Sequence, residues 1–417
     1  MTPAQAEISK LIDLLKIEKD EDYAQYQKKM LNTSLEERRK QGVTWYPAVK
    51  VNHFISTGER WTVEVERTSH LEQNHAFQSG AVVSLFLGED EKDSTTQGVI
   101  SFIRDNKMRI VINSDELPDW INDGKLGVNL LFDEGSYREM KKALKEVLNA
   151  EHGRLADLRE IFYGAKEPSF KNGFEFQSVN LNESQNKALT NIFNAQDIAI
   201  IHGPPGTGKT TTLVNAIKEV VKNERQVMVC AQSNAAVDLL VEKLDSLGLD
   251  VLRLGHPARL TPEVIENSLD VKISGHAYFK ELREIRKRSE EYRRMAGKYK
   301  RNFGHHERMQ RDLLRKEARM LKEDADRIEQ HITEDLLDRA QVIACTLVGS
   351  THSLVNDRIF KTVFIDEASQ ALEPGAWIAI RKAYRVVMAG DHLQLPPTVK
   401  SIKAAKEGLE NTLFEKA

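Results

Sequence analysis

The chain has 417 residues, of which 29% are charged, and its formal net charge at pH 7 is −3. This length predicts two or three domains with apolar cores, and the near balance of charge excludes a strong overall attraction to nucleic acid or membranes. The N-terminal MTPAQAEISK lacks a signal-peptide pattern, and no apolar run approaches membrane-spanning length. Cys230 and Cys345 are too far apart in sequence for a zinc spacing. We predict a soluble, cytoplasmic protein without a membrane partner.

The first 168 residues change pattern twice. Residues 1–42 are predicted to form a charged N-terminal stalk helix with a narrow apolar stripe. In residues 43–135 the apolar period becomes two, in runs such as RWTVEVERT, AVVSLFLGE and TQGVISFIRDNKMRIVINS separated by Gly, Asn and Asp turns. Residues 136–168 return to a helical rhythm and are predicted to form a second stalk helix. We expect the two helical segments to pair as a stalk that carries a small closed β-barrel, since closure hides the sheet edges.

Residues 169–417 alternate strand and helix patterns. The runs DIAII, QVMVCA, DVLRLG, AQVIACT, TVFIDE and YRVVMAG are apolar and β-branched, as strands buried on both faces are. Helical segments stand between several of these runs. The alternation predicts an α/β domain with a parallel sheet, helices on both faces, and functional loops at the carboxyl ends of the strands.

One segment, residues 275–334, interrupts this alternation with an apolar heptad rhythm. We predict an inserted helical hairpin that closes at Gly304. Between Lys280 and Lys322 the segment carries sixteen Lys or Arg residues against seven Asp or Glu residues. Two interpretations stay open: a basic arm that follows a phosphate backbone, or a solvated antiparallel coil whose charges keep it soluble.

The strongest motif is IIHGPPGTGKTTTLVNAI, a Gly-rich turn between a predicted strand and a predicted helix. A P-loop requires this context, because backbone N–H groups and a helix N-terminus surround the phosphate oxygens. Lys209 is predicted to bridge the β- and γ-phosphates, and Thr210 to bind Mg²⁺. The predicted nucleotide-binding residues of the motif are Gly203, Pro204, Pro205, Gly206, Thr207, Gly208, Lys209, Thr210 and Thr211.

Two further strand ends supply catalytic candidates beside Lys209. In TVFIDEASQ a buried strand ends in Asp366, predicted to bind Mg²⁺, and Glu367, predicted to accept a proton from the attacking water. In AGDHLQLPP the amide of Gln394 lies on a turn stiffened by two prolines, where it is suited to hydrogen-bond the γ-phosphate or the water. The alternative for Gln394 is a side chain that satisfies only its own turn. Gln185, in a helix before the P-loop strand, is predicted to lie near the adenine edge.

These motifs, in this order, resemble superfamily 1 helicases of the nonsense-mediated-decay type, in particular the immunoglobulin mu-binding group. LNESQ is similar to the Q motif, GPPGTGKTT to motif I and VCAQSNAAVDLLVEKL to motif Ia. RLGHPARL, IACTLVGS, VFIDEASQALEP and AGDHLQLPP match further motifs in sequence and spacing. The predicted barrel on a helical stalk ahead of them is also similar to the family, so the resemblance covers nearly the whole chain. It implies a RecA-like P-loop domain, ATP and Mg²⁺ as cofactors, single-stranded DNA or RNA as partner, and a nucleic-acid-dependent ATPase that acts as a 5′ to 3′ helicase or translocase.

By the same resemblance, contacts to the single strand fall on Ser233, Asn234 and Thr346, each of which is alternatively a helix cap or turn residue. Gln232 stands where the family usually has proline. The family continues beyond GLENTLFEKA into a second RecA-like domain, whose arginine completes the ATP site. We therefore expect an N-terminal motor half that is nearly inactive alone, from a truncated gene, from a longer protein, or from a motor whose remainder is supplied separately.

Two functions of other classes stay open on the sequence. One is a nucleic-acid-binding clamp that uses ATP as a switch without unwinding, and the other is a P-loop ATPase that remodels proteins. The sequence does not choose between DNA and RNA, because that choice depends on sugar contacts that no motif here encodes. It names no pathway, partner protein or oligomeric state.

Overall fold

The structure is a computed structural model that describes residues 1–30, 32–56, 60–78, 80–89, 94–114, 117–171, 173–256, 259–297 and 304–417. Its N-terminal segment contains helix α1 (Pro3–Met30) and the short helix α2 (Leu35–Lys40). The pattern predicted one helix through residue 42. A second helix begins instead because Ser34 caps it, accepting from the Glu37 N–H at 3.2 Å, while the Glu37 carboxylate accepts from the Ser34 N–H.

A closed barrel of antiparallel strands follows, in the order β1-β2-β5-β4-β3-β6. The strands are β1 (Thr44–Ser56), β2 (Arg60–Arg67), β3 (Val82–Leu87), β4 (Thr95–Arg104), β5 (Lys107–Ile112) and β6 (Leu126–Leu130). Inward side chains such as Val63 and Val65 are fully buried, while Glu64 and Glu66, which alternate with them, are partly exposed, as a period of two requires. Gly127 of β6 leaves room for the Phe86 ring, which a Cβ there would strike. The barrel confirms the prediction.

Helix α1 packs along helix α3 (Glu134–Asn149), which is followed by α4 (Arg154–Phe162). The pattern predicted one continuous second helix, but the chain turns at residues 150–153, where Gly153 adopts φ +87°. The interface between α1 and α3 belongs to the same apolar cluster as part of the sheet domain. This cluster includes Ile8, Leu11, Leu14, Leu15, Met140, Ala143, Leu144, Val147 and Trp377. The middle of α1 is also held to the sheet domain, because the buried Glu18 carboxylate accepts from the N–H groups of Lys400 and Ser401 at 2.8 and 2.7 Å.

The second half of the chain forms a six-stranded sheet in the order β7-β12-β11-β8-β10-β9, with every neighbouring pair parallel. Its strands are β7 (Ile198–His202), β8 (Val227–Ala231), β9 (Val251–Arg253), β10 (Val342–Thr346), β11 (Phe360–Asp366) and β12 (Ala383–Gly390). The predicted parallel α/β sheet is confirmed. The register also places Cys230 opposite Cys345, with their sulfurs 3.7 Å apart, although these residues are distant in sequence.

Helices lie on both faces of this sheet. They are α5 (Glu183–Asn194), α6 (Lys209–Val220), α7 (Asn234–Ser246), α8 (Leu269–Ser274), α11 (Glu373–Ile380), α12 (Ile402–Ala404) and α13 (Leu413–Lys416). Short 3₁₀ turns occur at Asp119–Asn122, Pro262–Asn267, Val348–Thr351, Ser353–Val355 and Ala368–Gln370, and a π turn at Ala405–Leu409. None of the described helices combines the length and the apolar composition that a membrane span requires.

Helices α9 (Phe279–Gly297) and α10 (His305–Arg339) follow β9 and precede β10 along the chain. They pack against each other. Leu282, Ala325 and Ile332 are buried in their seam. The Ser289 hydroxyl donates to the Ala318 carbonyl across it at 2.8 Å. Residues 298–303, which adjoin the predicted closure at Gly304, lie outside the described residues. Gly304 is the N-cap residue of α10.

Candidate functional site

The register of the parallel sheet brings the predicted site residues to one edge. Gly390 lies opposite His202, while Asp366 and Thr346 both lie opposite Ala231. The ends of β7, β12 and β11 therefore carry the P-loop, the Gln394 turn and the acidic pair, and we call them the P-loop half. The ends of β8 and β10 carry Ser233, Asn234 and Thr346, and we call them the β8–β10 half.

The P-loop joins β7 to α6 through two glycines in the left-handed region, Gly206 at φ +80° and Gly208 at φ +82°. These φ values favour glycine, because a side chain there would be strained. The Thr207 hydroxyl donates to the Pro204 carbonyl at 2.7 Å. Lys209, the first residue of α6, donates its ammonium to the Gly203 and Pro204 carbonyls at 2.5 and 3.2 Å. The loop thus holds its cation against the backbone that is predicted to surround the phosphates.

Thr210 and Asp366 lie side by side, with the hydroxyl donating to the carboxylate at 3.4 Å. Asp366 is 3% exposed, and this burial raises its pKa to about 6, even though the Glu367 N–H donates to the carboxylate at 3.0 Å. A hydroxyl and a carboxylate form an oxygen donor set that suits Mg²⁺. A bound cation would also lower the pKa of Asp366 again, because it favours the charged form.

Glu367 has a left-handed backbone at φ +52°, which is uncommon for a residue with a side chain. Its half-buried carboxylate accepts from the Gln370 amide at 3.1 Å. Such a conformation costs on the order of 1–2 kcal/mol and is typical of functional sites. The predicted role of Glu367 as base stays a prediction.

Gln394 is held inside its own turn after β12. Its backbone N–H donates to the Asp391 carbonyl at 3.1 Å, and its amide donates to the Asp391 carboxylate at 3.2 Å. These are the contacts expected of the alternative interpretation, a side chain that satisfies its turn. The turn nevertheless adjoins the P-loop, since the Gly203 N–H donates to the Gly390 carbonyl at 3.4 Å. A contact of Gln394 with the γ-phosphate or the water stays a prediction.

Gln185 lies against the P-loop. Its carbonyl oxygen accepts from the Asn182 N–H at 3.1 Å, as part of the capping box of α5. Its Nε2 stands 2.5 Å from the position that a Cβ on Gly208 would occupy. Gly208 therefore has both an unusual φ and no room for a side chain. A contact of Gln185 with adenine stays a prediction.

In the β8–β10 half each candidate already has a hydrogen-bond partner. Ser233 caps α7 by accepting from the Ala236 N–H at 3.2 Å. Thr346 accepts from the Gly349 N–H at 3.0 Å. These are the cap and turn roles that the sequence left open.

The side chain of Asn234, the third candidate, is held by Arg253, a residue that the sequence motifs did not predict to be part of the site. Its side-chain oxygen accepts from Arg253 at 2.9 Å. Arg253 is fully buried and paired with Asp238 at 2.9 Å. The signal was an arginine inside the short apolar run DVLRLG, since a buried arginine requires a carboxylate or carbonyl partner. Asp391, which fixes Gln394, was missed as well.

A P-loop that follows one strand of a parallel sheet, with an acidic pair ending a nearby strand, defines a P-loop α/β protein. Residues 180–402 match the family model of the AAA domain, so the chain belongs to this family and, within it, to the Upf1-like superfamily 1 helicases. This finding confirms the resemblance inferred from the motifs.

Three relatives illustrate the similarity. The DNA-binding protein SMUBP-2 of Rattus norvegicus is 30% identical over 430 residues, which cover 98% of this chain and 42% of that protein. The DNA polymerase alpha-associated DNA helicase A of Schizosaccharomyces pombe is 32% identical over 342 residues, or 78% of this chain and 51% of that protein. The ATP-dependent helicase upf1 of the same yeast is 34% identical over 246 residues, or 57% and 24%. The chain spans about half, or less, of the length of these relatives.

Proposed function

We propose that the chain supplies one motor domain, with accessory modules, of an ATP-dependent helicase or translocase that moves 5′ to 3′ along single-stranded DNA or RNA. The observation that carries this proposal is the register of the sheet. It brings a loop of the phosphate-binding type and a candidate strand-binding surface to the same edge of the sheet. Two ligands on the same edge of one sheet are suited to mechanical coupling.

In the P-loop half, residues 203–211 would surround the triphosphate, with Lys209 on the β- and γ-phosphates. Thr210 and Asp366 would hold Mg²⁺, which neutralises charge on the phosphate oxygens when bound. Glu367 would accept the proton of the attacking water, Gln394 would sense the γ-phosphate, and Gln185 would contact the adenine. The burial of Asp366 and its contact with Thr210 support the metal assignment.

In the β8–β10 half, Ser233, Asn234 and Thr346 would contact phosphates and sugars, which would bind one strand without reading its bases. A second RecA-like domain would close over the nucleotide and contribute an arginine, typically worth about 10³ or more in rate. We expect residues 1–417 by themselves to hydrolyse ATP slowly, and faster in the presence of such a domain.

One observation favours a second candidate, a P-loop ATPase that remodels proteins. All three strand-binding candidates already make hydrogen bonds within the protein. These contacts therefore do not mark them as nucleic-acid-binding residues. A clamp that is switched by ATP without unwinding uses the same site as a helicase and differs in outcome.

ATP hydrolysis by the chain joined to a second RecA-like domain, with and without single-stranded DNA or RNA, separates these functions. Stimulation by a single strand supports the helicase and the clamp, whereas unchanged hydrolysis supports the remodelling ATPase. Displacement of the complementary strand from a tailed duplex then supports the helicase over the clamp. Comparison of 5′-tailed with 3′-tailed duplexes tests the direction.

A further inference from the structure

Two histidines and an aspartate meet beside the P-loop, from strands that are distant in sequence. His202 is the last residue of β7, and Asp391 and His392 follow β12. His202 Nε2 lies 3.0 Å from His392 Nδ1 and 3.5 Å from Asp391 Oδ1. The three potential ligand atoms all lie within 4.8 Å of one another.

We propose that His202, Asp391 and His392 form a binding site for one divalent transition-metal ion, with Zn²⁺ as the best fit. Zinc binds imidazole nitrogen and carboxylate oxygen at about 2.0–2.2 Å. At such bond lengths the two separations from His202 Nε2 correspond to angles of roughly 95° and 115° at the ion, on either side of the tetrahedral angle. The imidazole pair distinguishes this site from the oxygen donors of Thr210 and Asp366, because Mg²⁺ prefers oxygen ligands.

The surroundings hold the carboxylate in place and leave the imidazoles accessible. Asp391 is 4% exposed, and its carboxylate accepts from the Leu393 N–H at 3.0 Å as well as from the Gln394 amide. Hydrogen bonds of this kind orient a ligand and are typical of metal sites. The side chain of His202 is 44% exposed and His392 is exposed, so an ion can reach them from solvent.

A bound ion would connect the strand that enters the P-loop to the turn that holds Gln394. Ligands on two separate segments make the ion a cross-link, and an ion that binds only the folded state stabilises it. Binding of the ion does not depend on the proposed ATPase activity. A direct His202–His392 hydrogen bond, with no affinity for metal, is the competing explanation of the geometry.

Binding is measured on the 417-residue chain without nucleotide, by titrating Zn²⁺ against a chromophoric chelator and by thermal unfolding with and without Zn²⁺. We expect one equivalent to bind and Tm to rise. His202→Ala and His392→Ala should each weaken binding by on the order of 100-fold or more and abolish the rise in Tm. The double variant should bind at least as weakly as either single variant, because both histidines bind the same ion.

Matched controls separate this site from adventitious binding. His305→Ala/His306→Ala removes an exposed histidine pair at the start of α10, and Asp366→Asn alters the proposed Mg²⁺ site; both should retain the Zn²⁺ affinity. Co²⁺ in place of Zn²⁺ should give a spectrum without a thiolate charge-transfer band, which excludes Cys230 and Cys345 as ligands.

The proposal is overturned by three outcomes. These are no stoichiometric binding in the unsubstituted chain, full affinity retained in His202→Ala or His392→Ala, and reduced affinity in the His305→Ala/His306→Ala control. Circular dichroism verifies that the two single variants fold, as expected from the exposure of both rings. If either alanine variant unfolds, His202→Gln and His392→Gln replace them, with the same expected weakening of binding.

Discussion

The P-loop half and the β8–β10 half lie on the same edge of one sheet but differ in what their side chains do. The P-loop half contains a buried carboxyl group with a raised pKa, a strained glutamate backbone and a lysine folded against its own loop. The β8–β10 half contains neutral side chains that cap a helix or close a turn. The first half therefore has a buried carboxyl group whose charged form a cation would stabilise, whereas the side chains of the second half already have hydrogen-bond partners.

The largest expected effect on ligand binding is in the P-loop half, from Lys209→Ala. Removing a charge-assisted hydrogen bond to phosphate costs about 2–3 kcal/mol, or on the order of 30- to 150-fold in affinity. Calorimetric titration with ATP·Mg²⁺ measures the weakening. Lys222→Ala, just beyond α6 in an exposed pair with Glu219, is the control and should bind ATP normally. Tight ATP binding by Lys209→Ala would refute the assigned site.

Asp366→Asn should stabilise the protein at neutral pH in the absence of Mg²⁺ and nucleotide. The folded pKa of about 6 lies above the ordinary 3.8, so the folded state keeps a proton that the unfolded state releases. The free energy of unfolding is therefore highest below a pH of about 4. It falls by about 3 kcal/mol as the pH rises to about 6. The variant lacks this decrease and should exceed the original protein by a similar amount above pH 6.

Urea unfolding in EDTA across this pH range tests the difference, which should vanish near pH 4. Asp391→Asn is the matched control with the opposite sign. Hydrogen bonds, above all from the Leu393 N–H, lower the pKa of Asp391, so its charged form stabilises the fold above the ordinary pKa. Its neutralisation should destabilise the protein at pH 7. Equal stability of Asp366→Asn and the original protein at pH 7 would contradict the buried, raised carboxyl group.

A smaller effect should separate the two roles of Ser233 in the β8–β10 half. Ser233→Ala removes the helix cap and should cost about 1 kcal/mol of stability, whereas Ser233→Asp caps equally well. Asp also places a negative charge where a phosphate is proposed to bind, so it should weaken single-strand binding by roughly tenfold without a decrease in stability. Fluorescence anisotropy with a labelled single strand measures the affinity. Unchanged affinity in both variants would reduce Ser233 to a helix cap.

The smallest expected effect concerns the basic hairpin of α9 and α10, for which the sequence left two interpretations open. Six exposed cations on α9 and α10 would be replaced with Gln: Lys287, Arg288, Arg294, Lys316, Arg319 and Lys322. If the hairpin follows a phosphate backbone, the slope of log K against log salt should fall by about 0.7 for each phosphate that is no longer neutralised. Replacing Glu284, Glu290 and Glu291 with Gln should leave the slope unchanged. An unaltered slope in the first variant would favour a solvated coil.

Local patterns in the sequence were sufficient for the elements that depend on neighbours along the chain. The alternating runs predicted the barrel, the β-branched runs predicted the parallel sheet, and the P-loop required only a strand, a Gly-rich turn and a helix. Strands β1 and β6 were not among the predicted runs. Strand β6 has only five residues and is defined by its pairing with β1 and β3 rather than by its own pattern. The breaks at Ser34 and Gly153 likewise depend on a cap and on one backbone angle.

The order of the motifs, the parallel sheet and the candidate P-loop residues could all be predicted from the amino-acid sequence, because each is encoded in a short contiguous stretch. The meeting of distant residues could not. The register of the strands placed Cys230 beside Cys345, Arg253 beside Asn234, and His202 beside Asp391 and His392. Strand order and register depend on the packing of the whole sheet, and no local spacing along the chain encodes them.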